Sequence, residues 1–247
     1  MNDLVKSIRE RYESTLDKIS SSVKKAGRNP ESVKLVVVTK AQPVEVARAA
    51  IEAGAKILGE NYAEEGVTKI QSLTGFSAVE WHMIGHVQSR KAQVVAENFN
   101  FNHSLDSLKL AKRLDRFCSE AKRILPVLLE FNVGGEESKS GWNAFDENCW
   151  SELLADVNEV MALPNLQIRG LMTMPPIGET AEFSRPFFQK LKRLQEFLLG
   201  QFPQVDFLEL SMGTSLDYEV AIEEGATFVR VGTAIVGERK KSADLAD

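Results

Sequence analysis

Apolar positions along the chain switch between two spacings. Leu4, Ile8, Tyr12, Leu16, Ile19 and Val23 recur at steps of three and four over a polar background, so residues 2–26 are expected to form an amphipathic helix that stops before Gly27. Leu35-Val36-Val37-Val38 is then an unbroken, β-branched run ending in Thr39 and Lys40, the pattern of a strand buried on both faces as in parallel sheets. The same alternation predicts helix 44–53 stopped by Gly54, strand 56–59, helix 62–72, strand 79–84, helix 88–97, strand 99–105 and helix 106–122. Strand 126–133, a polar loop 134–141, helix 146–161, strand 166–172, helix 182–200, strand 207–210, helix 215–224 and strand 227–231 complete it. Eight strands alternating with helices match a closed (β/α)8 TIM barrel of typically ~250 residues, with an extra N-terminal helix; an open doubly wound sheet is the structural competitor. No proline-rich linker or change of composition divides the chain, so residues 1–247 are read as one α/β domain, with 240–247 as a flexible tail.

Composition narrows the partners. Thirty Lys and Arg against 35 Asp and Glu give a net charge of −5, which offers no general field for nucleic acid or an anionic membrane. Cys118 and Cys149 are too few for a disulfide framework or a zinc cluster, and the charged N-terminus and short apolar runs exclude a signal peptide or a spanning helix. A soluble, cytoplasmic, monomeric protein is expected.

Three places carry candidate chemistry. Lys40 falls at the carboxyl end of the first strand, where α/β sheets put their active groups, although a lysine there also suits a side chain reaching for water. Leu210-Ser211-Met212-Gly213-Thr214-Ser215 follows strand seven and opens a helix; its small and hydroxyl residues suit an anion, or else Thr214 or Ser215 is an ordinary N-cap. Strand eight ends in Arg230-Val231-Gly232-Thr233, and loops after strands seven and eight of barrels frequently form a phosphate site together. Closure would pair strand eight with strand one and bring Lys40 beside these loops. An amine near a phosphate anchor suits a phosphorylated carbonyl compound held as a Schiff base, which both pyridoxal 5′-phosphate and an aldolase's sugar phosphate satisfy. Val229 and Val231 alternate with Arg230, so the arginine is expected to point into the barrel, toward a pyridine nitrogen or toward a carboxylate such as Glu209. His82 and His86 stand four apart on a strand-to-loop segment rather than a helix, so no metal site is read from them. The 134–141 loop with Lys139 is expected to be solvated rather than a flap, and Met172 and Met174 to be packing residues.

Several separated pieces resemble the YggS/PROSC family of pyridoxal phosphate homeostasis proteins. They are Val38-Thr39-Lys40, Gly59-Glu60-Asn61, Trp81-His82-Met83-Ile84-Gly85-His86-Val87-Gln88, His103-Ser104-Leu105-Asp106-Ser107, Gly170-Leu171-Met172-Thr173-Met174, Leu210-Ser211-Met212-Gly213 and Val229-Arg230-Val231-Gly232-Thr233-Ala234-Ile235-Val236-Gly237. The resemblance implies the barrel fold of the alanine racemase N-terminal domain and a bound pyridoxal 5′-phosphate. It further implies that Lys40 carries the cofactor covalently, that Ser211, Gly232 and Thr233 hold the phosphate, that Arg230 faces the pyridine nitrogen, and that Asn61, His86 and Met172 line the pocket. Tyr62 stands where the family usually has arginine. The implied function is intracellular cofactor homeostasis, with delivery to pyridoxal phosphate-dependent apoenzymes. The alternative is an amino-acid racemase, for which His86 or Tyr62 would have to supply the second base that alanine racemase takes from another domain; no catalytic residue is assigned.

Overall fold

The computed structural model describes residues 3–238, so the expected tail at 240–247 lies outside the described residues. Helix α1 (Asp3–Lys25) precedes eight parallel strands: β1 (Lys34–Val38), β2 (Ile57–Glu60), β3 (Glu80–Met83), β4 (Phe101–Leu105), β5 (Leu125–Asn132), β6 (Leu166–Met172), β7 (Glu209–Ser211) and β8 (Phe228–Val231). The helices between and after them are α2 (Val44–Glu52), α3 (Ala63–Ser72), α4 (Ala92–Asn98), α5 (Leu108–Glu120), α6 (Leu153–Met161), α7 (Arg185–Gln201), α8 (Tyr218–Glu223) and the short α9 (Thr233–Val236). Neighbouring strands pair in sequence order, β8 pairs with β1 from Lys34 opposite Phe228 to Val37 opposite Val231, and β4 pairs with β5. The sheet therefore closes, which decides against the open doubly wound alternative. A two-residue strand, Trp142–Asn143, adds to the end of β5.

Strand alternation sorts side chains into two cores. Leu35, Val37, Leu58, Trp81, Met83, Val229 and Val231 face outward and join the helices in the larger cluster. Val36, Val38, Ile84 and Phe228 face inward, with Ile57 and Phe101 against them. The interior leaves no room at Gly59: a Cβ there would stand 2.7 Å from Val36 Cγ1 and 2.9 Å from Ile84 Cδ1.

Helix α1 lies outside the barrel over the seam, with Val5, Ile8, Ile19 and Val23 buried. Arg11 Nε donates to the Ile235 carbonyl of α9 and Arg28 Nη1 to the Ile222 carbonyl of α8. Among the described residues no helix is long and apolar enough to cross a membrane.

Several boundaries differ from expectation, among them the first turns of helices 88–97, 146–161 and 182–200, which are 3-10; two others have clear local reasons. Strand seven begins at Glu209 rather than 207, because 205–208 form tight turns in which Phe207 N–H donates to Val205 O and Leu208 N–H to Asp206 O. Helix α8 begins at Tyr218, so neither Thr214 nor Ser215 is its N-cap; Asp217 occupies that position and its carboxylate accepts instead from the Thr214 N–H and hydroxyl.

Candidate functional site

The carboxyl ends of the strands surround a cavity of about 610 Å³, a size ordinary for a small-molecule site. Lys40 enters it from the turn after β1. The chain bends sharply there: Ala41 adopts φ +54° and the Gln42 N–H closes the turn onto Thr39 O. Thr39 is anchored from outside the barrel. Lys69 Nζ, on α3, donates to Thr39 O at 2.6 Å and to Glu60 Oε1 at 2.8 Å, while the Thr39 hydroxyl donates to the same Glu60 oxygen at 2.6 Å. Burial pushes the Glu60 carboxyl up from its usual value, and the Lys69 charge opposes that rise. Lys69 is thus locked beneath the backbone that presents Lys40.

On β8, paired directly with β1, stands Arg230, 3% exposed. It points into the barrel, as alternation predicts, but not to Glu209, whose Oε1 is paired with Lys34 Nζ at 2.8 Å. Arg230 Nη1 donates to Ser211 Oγ at 2.5 Å, and Nη2 to Thr173 O and Met174 Sδ, each at 2.9 Å. Burial lowers its pKa to about 10, against the pull of Glu130 and Asp217, so it remains a cation and an obligatory donor.

The loops after β7 and β8 meet at the cavity wall. Gly232 N–H donates to Ser215 Oγ at 3.2 Å, and Thr214, Ser215, Gly232 and Thr233 all line the cavity. Gly213, at φ +89°, lets the first of these loops fold against α8, where a Cβ would stand 2.6 Å from that of Ala221. Hydroxyls and backbone amides thus converge beside an amine and a guanidinium, a donor set that fits a phosphorylated aldehyde.

Seven of the eight residues named from the sequence line this one cavity: Lys40, Asn61, His86, Met172, Arg230, Gly232 and Thr233. Ser211 is the exception. It is fully buried and does not line the cavity; its hydroxyl is engaged by Arg230 and His103, while Ser215 lines the cavity beside Gly232. His86 Nδ1 lies 2.6 Å from Asp106 Oδ2 and 3.2 Å from Ser140 Oγ. Tyr62 is exposed and does not line the cavity. Among the described residues no cluster of three or more His, Cys, Asp or Glu could hold a metal ion.

The 134–141 loop keeps Gly135, Glu137 and Ser138 exposed, as expected of a solvated loop, and also lends Ser138, Lys139 and Ser140 to the cavity wall. Asn132 folds it back, donating from Nδ2 to Glu136 O and accepting from Gly135 N–H. Met174, expected as packing, likewise reaches the cavity and Arg230. Sequence reasoning missed Glu130 altogether. This β5 residue lines the cavity, is 7% exposed, leaves Oε2 without a hydrogen-bond partner, and has its pKa raised to about 7, chiefly by burial and then by Asp106. A carboxylate in an inward position directly after the apolar run Leu125–Leu129 is the signal that could have revealed it.

With this geometry in hand, the relatives are informative. A family model described as alanine racemase, N-terminal domain, matches residues 15–240. The chain is 43% identical over 240 residues to the pyridoxal phosphate homeostasis protein of Vibrio alginolyticus, across 96% of this chain and 99% of that one. PipY of Synechococcus elongatus PCC7942, solved with PLP bound, superposes with a TM-score of 0.79 at 35% identity, covering 93% of this chain and all of PipY. Alanine racemase of Clostridium difficile 630 superposes at 0.68 with 15% identity over 96% of this chain and 58% of that one, a likeness of fold alone.

Proposed function

This chain belongs to the family of pyridoxal phosphate homeostasis proteins, built on the alanine racemase N-terminal domain fold, and from that premise we propose that its barrel mouth holds pyridoxal 5′-phosphate for intracellular cofactor homeostasis. The observation that carries the proposal is the convergence of Lys40, Arg230 and the loops after β7 and β8 on one cavity. Bound there, the cofactor supplies an aldehyde for covalent attachment and a pyridine ring that can draw electrons from the attachment point.

Lys40 is the attaching amine. Thr214, Ser215, Gly232 and Thr233 offer donors to the phosphate, and Asn61, His86 and Met172 bound the ring's surroundings. Arg230 faces the ring nitrogen. Because a guanidinium donates and does not give up its proton, it leaves that nitrogen unprotonated and weakens electron withdrawal. That arrangement favours holding the cofactor over turning over a substrate, and delivery to apoenzymes is the corresponding role. One observation favours the racemase alternative: His86, paired with Asp106 at 2.6 Å, is a base candidate at the cavity wall.

Two measurements test the assignment. Lys40→Ala removes the attachment, so the variant loses the visible absorption of the loaded protein; a variant that retains the native band refutes the role of Lys40. Loaded protein mixed with an apo-aminotransferase restores that enzyme's activity as cofactor moves across. Absence of transfer together with sustained racemization of an amino acid would establish the alternative.

A further inference from the structure

Below the cavity, the barrel interior carries polar contacts that cofactor binding alone does not require. Arg230 Nη1 lies 2.5 Å from Ser211 Oγ, which lies 2.8 Å from His103 Nδ1. His103 Nε2 is 2.9 Å from His82 Nδ1, and His82 Nε2 is 3.1 Å from Glu80 Oε2. These residues sit on β8, β7, β4 and β3, so the line crosses the barrel from its carboxyl end to Glu80 at the first position of β3, whose side chain is 59% exposed.

The two ends fix the direction of every link. Arginine can only donate and an ionised carboxylate can only accept. Ser211 Oγ, accepting from Arg230, gives its own proton to His103 Nδ1. His103 must then carry its proton on Nε2 and donate to His82 Nδ1, and His82 must carry its proton on Nε2 and donate to Glu80. The opposite tautomers would leave the Ser211 proton without an acceptor at one end and set a lone pair against the Glu80 carboxylate at the other.

We propose that Glu80, His82, His103 and Ser211 form a one-way hydrogen-bond chain that fixes both buried histidines as neutral Nε2–H tautomers and holds the Arg230 guanidinium in place for the cofactor. His82, His103 and Glu80 are thus positioning residues for the site, and this part rests on the proposed role of Arg230. The surroundings keep the two imidazoles dry. Phe101 and Phe228 pack on both imidazoles with ring centroids 4.9 to 5.7 Å away. The charged groups facing the pair are Lys34 on β1, Glu80 on β3, Glu209 on β7 and Arg230 on β8. Burial pushes both histidines below their usual range, His103 furthest, with the positive neighbours acting in the same direction on it, so both are neutral near pH 7. The hydrogen bond from His82 holds the Glu80 carboxyl below its usual value, which keeps the acceptor ionised.

Long-range 1H–15N correlation on the protein without cofactor tests the chain by itself. His82 and His103, assigned by loss of each signal in a single variant, are expected as neutral Nε2–H tautomers near neutral pH. An Nδ1–H tautomer or an imidazolium at either position overturns the proposal. Its consequence is read from cofactor release to an apo-aminotransferase. His103→Leu leaves Ser211 without its acceptor and is expected to speed release about tenfold, whereas His103→Asn restores an acceptor at the δ position and stays within about twofold of wild type. Equal rates in the two variants, or an unchanged rate in His103→Leu, overturn the positioning role; if His103→Leu does not fold, Ser211→Ala supplies the same measurement, with the same outcomes. A wild-type protein that takes up no pyridoxal 5′-phosphate would instead overturn the reading of the site, while the tautomers still decide the chain.

Discussion

Glu130→Gln isolates one buried carboxyl and gives the site a measurable signature. Glu130 has a pKa raised from 4.5 to about 7, by burial first and by Asp106 second, with Arg230 and Lys139 pulling it down. In the unfolded chain that value returns to the ordinary one, so the folded protein holds this proton more tightly than the unfolded chain does. The associated stability is complete below the unfolded value and is lost as pH rises through about 7. At about 1.36 kcal/mol per pH unit, the interval from 4.5 to about 7 corresponds to about 3 kcal/mol. Glutamine has the same shape and never ionises, so subtracting the two proteins' unfolding free energies cancels every other titrating group. Urea denaturation across the range from about pH 4 to about pH 9 is expected to show near-equality at the acid end. The variant should become more stable by about 3 kcal/mol at the alkaline end, with the gap flat above about pH 8. A gap that does not change with pH, or one that opens in the opposite direction, refutes the account of Glu130 as a proton-holding acid in the cavity wall.

Lys69→Met strands the Glu60 carboxylate in the outer core and should lower the unfolding free energy by about 3–5 kcal/mol in urea titration; a loss below about 1 kcal/mol would mean that the pair is not a buried anchor. Ala41→Gly relieves a left-handed alanine that costs about 1–2 kcal/mol, at an entropic cost of about 0.5–1 kcal/mol, so a net gain of about 0.5–1 kcal/mol is expected in thermal denaturation, with the visible band of loaded protein kept. No gain would place the turn's strain elsewhere. Lys40→Ala, read by that same absorption, completes the set.

Much of this was legible because parallel strands impose a simple code. Val36 and Val38 inside, Leu35 and Val37 outside, and the alternation of Val229, Arg230 and Val231 follow from strand geometry alone, and Arg230 pointed inward as that pattern requires. The register of closure then carried Lys40 to the loops of β7 and β8. What stayed illegible depends on contacts between residues distant in sequence. That the Ser211 hydroxyl lies between Arg230 and His103, and that Lys34 rather than Arg230 pairs with Glu209, cannot be read from spacing. Helix 215–224 was drawn too early because propensity does not reveal that Asp217 turns back onto Thr214. The loop carrying Ser138–Ser140 has polar composition in either setting; only the bonds from Asn132 decide that it folds over the cavity.

The two groups that matter most to the site are held by different layers of the barrel. Lys40 is presented by a backbone pinned from outside, through Lys69 of α3 and Glu60 on the helix-facing side of β2. Arg230 is held from inside, through Ser211 and the imidazoles of β4 and β3. A change in packing between helix and sheet would disturb the amine and leave the guanidinium in register, while a change in the interior would do the reverse. With the roles proposed for Lys40 and Arg230, Lys69→Met and His103→Leu should therefore be separable in the loaded protein: the first would act on attachment at Lys40, the second on the ring's nitrogen end. Their effects on cofactor release should add, since neither residue touches the other's partners. Strong non-additivity would mean that the two layers move together and that the barrel wall, rather than either network, sets the geometry of the site.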